Sequence, residues 1–151
     1  MARRDPIARS AGWDALARAV EVARDSVRRH ALGDGVVAHV GADRYQDASE
    51  LAFHLRGHPT TFSLNLGGRA NQYDLWPGFP ERARAGDALV LALDDTEEPH
   101  PTVRRLEPFF TALRRGALVE LRARRGVVAR RRLWTLVGWT GGWPSREAAG
   151  G

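Results

Sequence analysis

Three short stretches carry most of the side chains able to do chemistry. They are Asp43-Arg44-Tyr45-Gln46, then Asn65 followed by Arg69-Ala70-Asn71-Gln72-Tyr73-Asp74-Leu75-Trp76, and finally Asp94-Asp95. Each follows an apolar, β-prone run, and in an open parallel sheet ligands sit beyond the carboxyl ends of the strands. Gathered on one rim, Asp43, Arg44, Tyr45, Asn71, Gln72, Tyr73, Asp74 and Trp76 would bring together carboxylates, a guanidinium, amides and flat rings. That set suits a pocket in which Trp76 or Tyr73 offers an apolar platform while Asn71, Gln72 and Asp74 fix the hydroxyls of a sugar-like or other polar headgroup. The same residues have a plainer use, as turn hydrogen bonds and as a cover over the core beneath a long loop.

Other reaction classes find less support. Ser49 falls at the start of a helix, Ser63 falls within a strand, and no Gly-x-Ser-x-Gly elbow occurs. A phosphate loop ending in Gly-Lys is excluded because all 23 basic residues are arginine, and Gly33-Asp34-Gly35 precedes the first strand instead of following it. The absence of cysteine excludes disulfides, thiolate zinc sites and thiol nucleophiles together. Among the five histidines, His54 and His58 are spaced as ligands on a helix, but Gly57 and Pro59 end that helix between them. No catalytic residue, metal site or cofactor is therefore expected, and acidity alone does not make Asp43 or Asp74 a general base.

A second feature is electrostatic. Residues 101–132 hold ten arginines against Glu107 and Glu120, a balance of +8, whereas residues 42–100 hold five arginines against ten acids, a balance of −5. A chain polarised in this way can turn one end toward an anionic surface. Arg122, Arg124, Arg125, Arg130, Arg131 and Arg132 flank a turn, with Trp134 and Trp139 as aromatic companions. They suit phosphates of anionic lipid or of nucleic acid, or else blunt an edge hairpin against aggregation.

The elements that position these groups follow from periodicity. Trp13, Leu16, Val20, Ala23 and Val27 recur at helical spacing and predict a helix over 10–30. Val36 to Val40 reads as a central strand. Asp47-Ala48-Ser49-Glu50 has the spacing of a capping box and predicts a short helix to about Leu55. Thr60 to Leu66 reads as a second strand, the long loop 67–87 follows, and Ala88 to Leu93 reads as a third, buried strand. Thr102 to Leu113 predicts a helix that Pro108 confines or kinks, and a hairpin turns at Arg125-Gly126 and returns as far as Trp139. The expected fold is α/β, a three-layer sandwich with a mostly parallel central sheet and a C-terminal antiparallel hairpin. Residues 1–9 are expected to form a tail, 10–143 a single domain, and 144–151 a flexible end.

With 151 residues, 43% of them hydrophobic, the chain matches one domain with one core. Its longest uninterrupted apolar stretch, Ala88 to Leu93, is far short of the roughly 18–20 residues that cross a bilayer. The first residues lead into charged helix without an apolar leader core, so the chain as written is expected in the cytoplasm.

The stretch Ala42 to Leu55, with Gly57-His58-Pro59 after it and then Asn71-Gln72-Tyr73-Asp74-Leu75-Trp76, resembles the C-terminal soluble region of bacterial multi-spanning glycosyltransferases. These belong to the superfamily of protein mannosyltransferases and the aminoarabinose transferase of lipid A. The likeness extends more weakly from about Trp13 to Trp139. It implies a polyprenyl-phosphate sugar donor, inverting transfer by an integral-membrane enzyme, and a small extracytoplasmic α/β domain after the last membrane helix. In that family the catalytic carboxylate lies in a loop near the first membrane helices, so the resemblance carries over only the rim residues and no catalytic one. The chain is thus expected to be the separated end of, or an accessory to, such a transferase, with the membrane core, an anionic lipid surface or a glycolipid as partner. The alternative expectation is a stand-alone basic module for nucleic acid.

Overall fold

A computed structural model describes residues 6–31, 35–64, 78–124 and 126–144. Helix α1 spans Pro6–His30, β1 Ala38–Ala42, α2 Tyr45–His54, β2 Thr61–Ser63, α3 Phe79–Arg82 and β3 Ala88–Asp94. Then come α4 at Pro101–Leu106, a 3₁₀ turn at Glu107–Phe109, β4 at Phe110–Ala123 and β5 at Gly126–Trp139. The described strands form a mixed sheet of order β2-β1-β3-β5-β4. β1 pairs in parallel with β2 and β3, while β5 runs antiparallel to both β3 and β4. Parallel and antiparallel pairings are therefore equal in number, because β5 enters the sheet beside β3 instead of remaining an isolated edge hairpin.

Burial explains the order. Ala88 through Leu93 are all buried, so β3 takes the centre, where neither face meets water. Its alternate residues feed two cores. Val90 and Ala92 join Val40, Ala42 and Leu133 beneath Trp13, Leu16 and Val20 of α1 and Leu51 of α2. Leu89, Leu91 and Leu93 join Phe62, Phe79, Leu106, Trp134 and Trp139 on the other face. Leu16, Val20 and Leu51 are fully buried, and each such side chain contributes roughly 1.5–3 kcal/mol. Gly41 permits the close β1–β3 packing, since a Cβ there would meet Leu91 Cδ2 at 3.0 Å.

Several expected boundaries move. α1 begins at Pro6 instead of Ser10, inside the stretch expected as a tail, and its last turn carries Arg28, Arg29 and His30 against the negative end of the helix dipole. β1 starts at Ala38, two residues late, because the Val37 N–H is taken by Asp87 Oδ1 at 3.1 Å. The helix expected to reach Leu113 stops at Leu106. Pro108 sits in the 3₁₀ turn, and Phe110 and Leu113 pair with Trp139 and Leu136 as the start of β4. No helix among the described residues is long and apolar enough to cross a membrane.

Candidate functional site at the carboxyl rim of the sheet

β1 and β3 lie side by side in parallel, so the residues that follow them come out together. Asp43 and Arg44 follow β1, while Asp94 and Asp95 close β3. Asp43 Oδ1 accepts a hydrogen bond from the buried Thr102 Oγ1 at 3.0 Å, which ties the end of β1 to the first turn of α4. Arg44 Nη2 donates to both oxygens of Asp94, at 2.8 and 2.9 Å, with about half of each side chain exposed. Asp94 also meets Arg131 Nη1 at 2.9 Å, and Arg131 turns its Nε and Nη2 to Asp47 at 2.8 and 3.3 Å. The result is an alternating run, Arg44, Asp94, Arg131, Asp47, that goes from solvent into the core.

The inner end of that run overturns an expectation. Asp47, spaced with Glu50 as a capping box, does not cap α2: the helix begins at Tyr45, and Arg44 stands at the cap position without a side-chain hydrogen bond. Asp47 is buried against Arg131 instead, a pairing that neutralises both charges where water cannot. Arg131 is therefore an internal strut joining β5 to α2, not a surface cation. Arg132 is also engaged, with Asp95 Oδ1 at 3.2 Å and the Gly116 carbonyl at 3.1 Å. Arg122 and Arg124 remain exposed at the hairpin end and Arg130 beside the rim, while Arg125 lies outside the described residues. Trp134 and Trp139 are buried in the core, so neither ring is presented to lipid or to a base.

Arg44, Asp94, Asp95, Ala129, Arg130 and Arg131 line an open hollow of about 500 Å³. Arg44 holds Asp94 through a single nitrogen, Nη2, shared between both carboxylate oxygens, and a guanidinium is equally suited to phosphate oxygens. Tyr45 stands beside it at the start of α2, 44% exposed. The remaining expected rim residues, Asn71, Gln72, Tyr73, Asp74 and Trp76, lie outside the described residues. Of the eight residues expected on the rim, the structure thus places Asp43, Arg44 and Tyr45 there together.

A second polar pair, at the opposite end of β3, is formed by two residues that the sequence does not single out. His39 Nε2 donates to Asp87 Oδ2 at 2.9 Å, and Asp87 also accepts the backbone N–H groups of Arg84 and Val37. Burial pushes the Asp87 carboxyl up, but the Arg84 N–H, His39 and the Val37 N–H together outweigh it and hold the group below its ordinary value. The His39 ring packs edge-on to Phe79, with centroids 5.3 Å apart, and lies 5.9 Å from Phe62. A usable signal was present: a histidine inside the apolar run Val36 to Val40 needs a buried partner, and Asp87 directly precedes a neighbouring strand. His54 likewise joins α2 to α1 through Asp14 at 2.7 Å, and meets Glu50 of its own helix at 3.5 Å.

Comparisons of the chain with protein-family models, with curated proteins and with solved structures give no match.

Proposed function

We propose that the chain is the soluble C-terminal-type domain of a polyprenyl-phosphate-sugar-dependent membrane glycosyltransferase, a three-layer α/β sandwich that contacts donor, acceptor or a partner loop and performs no chemistry of its own. The observation that carries this reading is the ordered pair of sequence stretches, Ala42 to Leu55 and Asn71 to Trp76. The first of these forms one physical unit: the end of β1, the Asp43-Arg44 turn and α2, with Arg44 reaching across to Asp94. Its position agrees with the general placement of ligands beyond the carboxyl ends of parallel strands. Arg44 and Arg130 at the hollow would meet a sugar-phosphate, and Asn71, Gln72 and Asp74 its hydroxyls.

The test uses the full chain and a water-soluble, short-chain prenyl-phosphate sugar. The sugar phosphate is expected to raise the melting temperature, and Asp74→Ala is expected to leave folding intact while abolishing that rise. Absence of any response to the sugar phosphate, together with tight and salt-sensitive binding to duplex or single-stranded nucleic acid, would overturn the reading in favour of a nucleic-acid module.

A further inference from the structure

The ends of β4 and β5 continue past the parallel strands as a two-stranded arm. The last β3–β5 pair is Asp94 with Arg131, whereas β4 and β5 go on pairing as far as Ala123 with Gly126. Since β5 runs antiparallel to β3, its first residues extend beyond the carboxyl end of β3, on the side of the sheet that carries Arg44 and Asp94. Within the arm the register slips between Leu121 paired with Ala129 and Arg122 paired with Val127, which leaves Val128 as the extra residue of a β-bulge. Bulges turn a side chain out of the regular alternation. Val128 is 68% exposed and Val127 37% exposed.

Arg122, which pairs with Val127 across the arm, Arg124 in the turn after β4 and Arg130 on β5 are all exposed. Over residues 119–130 the only acid is Glu120, which Arg122 meets at 3.0 Å. Charge blunts this arm as an exposed edge, and the two adjacent exposed valines add an apolar element to it. Exposed apolar side chains flanked by arginines fit the bilayer interface, where apolar groups enter the acyl boundary and cations stay at the level of the phosphates. A nucleic acid would engage the arginines but leave the valines in water, and Trp134 and Trp139, the aromatic rings of β5, are buried away from any base.

We propose that this hairpin tip is a membrane-docking element, in which Val127 and Val128 enter the headgroup region of an anionic bilayer while Arg122 and Arg124 contact lipid phosphates. The inference rests on the transferase-domain reading and adds an orientation to it: with the tip in lipid, the carboxyl rim of the sheet is turned toward the membrane.

Co-flotation of the full chain with vesicles of phosphatidylcholine, with or without phosphatidylglycerol, tests the proposal. Binding is expected only to the phosphatidylglycerol vesicles and should weaken with salt, with Arg122→Ala and Arg124→Ala each lowering partitioning about fivefold. Val128→Asp should lower it at least as much although every arginine is intact, and Val128→Trp should raise it, both with an unchanged melting temperature. Three results overturn the proposal: no binding to phosphatidylglycerol vesicles, equal binding by both Val128 variants and the unaltered chain, or tighter binding to nucleic acid that depends on the arginines and ignores Val128. The vesicles contain no sugar carrier, so failure here removes the docking tip alone, whereas failure of the sugar-phosphate response removes the rim reading.

Discussion

Asp87 and Asp94 flank the apolar run of β3, and they are held in opposite ways. Asp87 is 4% exposed and is gripped by two backbone N–H groups and by His39. The Asp94 side chain is 49% exposed and, among the described residues, is held by the guanidiniums of Arg44 and Arg131. Backbone donors cannot leave without undoing the start of two strands, whereas an exposed guanidinium can exchange one oxyanion for another at small cost. The Asp87 end of β3 is thus fixed by backbone donors, whereas at the rim one of the two partners of Asp94, Arg44, is an exposed side chain.

The largest effect is expected at the Asp87 end. Asp87→Ala strands the Val37 and Arg84 N–H groups and the His39 ring, and urea denaturation should show a loss of about 3–5 kcal/mol. A loss below about 1 kcal/mol would erase the contrast between the two aspartates. Arg131→Ala should cost about 3 kcal/mol, because it leaves Asp47 charged and buried; the Asp47→Ala, Arg131→Ala double variant should cost clearly less than the sum of the single changes.

The pH dependence of stability reports on the Asp87 end. The folded Asp87 carboxyl sits below its ordinary value of 3.8, so its contribution is fully present above that pH and is lost as pH falls through the lowered folded value. Asp87→Ala should therefore flatten the steepest part of acid unfolding, as followed by circular dichroism at stepped pH. The smallest effect belongs to Arg44→Ala at the exposed rim, about 0.2–1 kcal/mol by thermal melting. That variant should nonetheless lose the response to a sugar phosphate.

Much of this organisation was legible in residue types. The stripe from Trp13 to Val27 produced α1, the unbroken Ala88 to Leu93 run produced the central strand, and alternation around Arg125-Gly126 produced the hairpin. Asp43, Arg44 and Tyr45 could be placed at the carboxyl end of β1 because they follow that strand directly. What stayed hidden was the choice of partner over long sequence distance. Asp47 satisfied a local capping pattern, but Arg131, 84 residues away, bound it more strongly, and nothing local distinguished Arg131 from Arg130 or Arg132. Phe110 to Leu113 fitted a helical stripe and became strand because β5 offered a complete ladder. His39 carries no local sign of its partner, because Asp87 lies 48 residues further along the chain, just before β3.

Chemical-shift mapping of the full chain titrated with a short-chain prenyl-phosphate sugar tests the central claim most directly. Perturbations are expected to gather at Asp43, Arg44, Asp94 and the Asn71 to Trp76 stretch, and to leave His39 and Asp87 unmoved. Perturbations centred on His39 and Asp87, or none at saturating ligand, would contradict it.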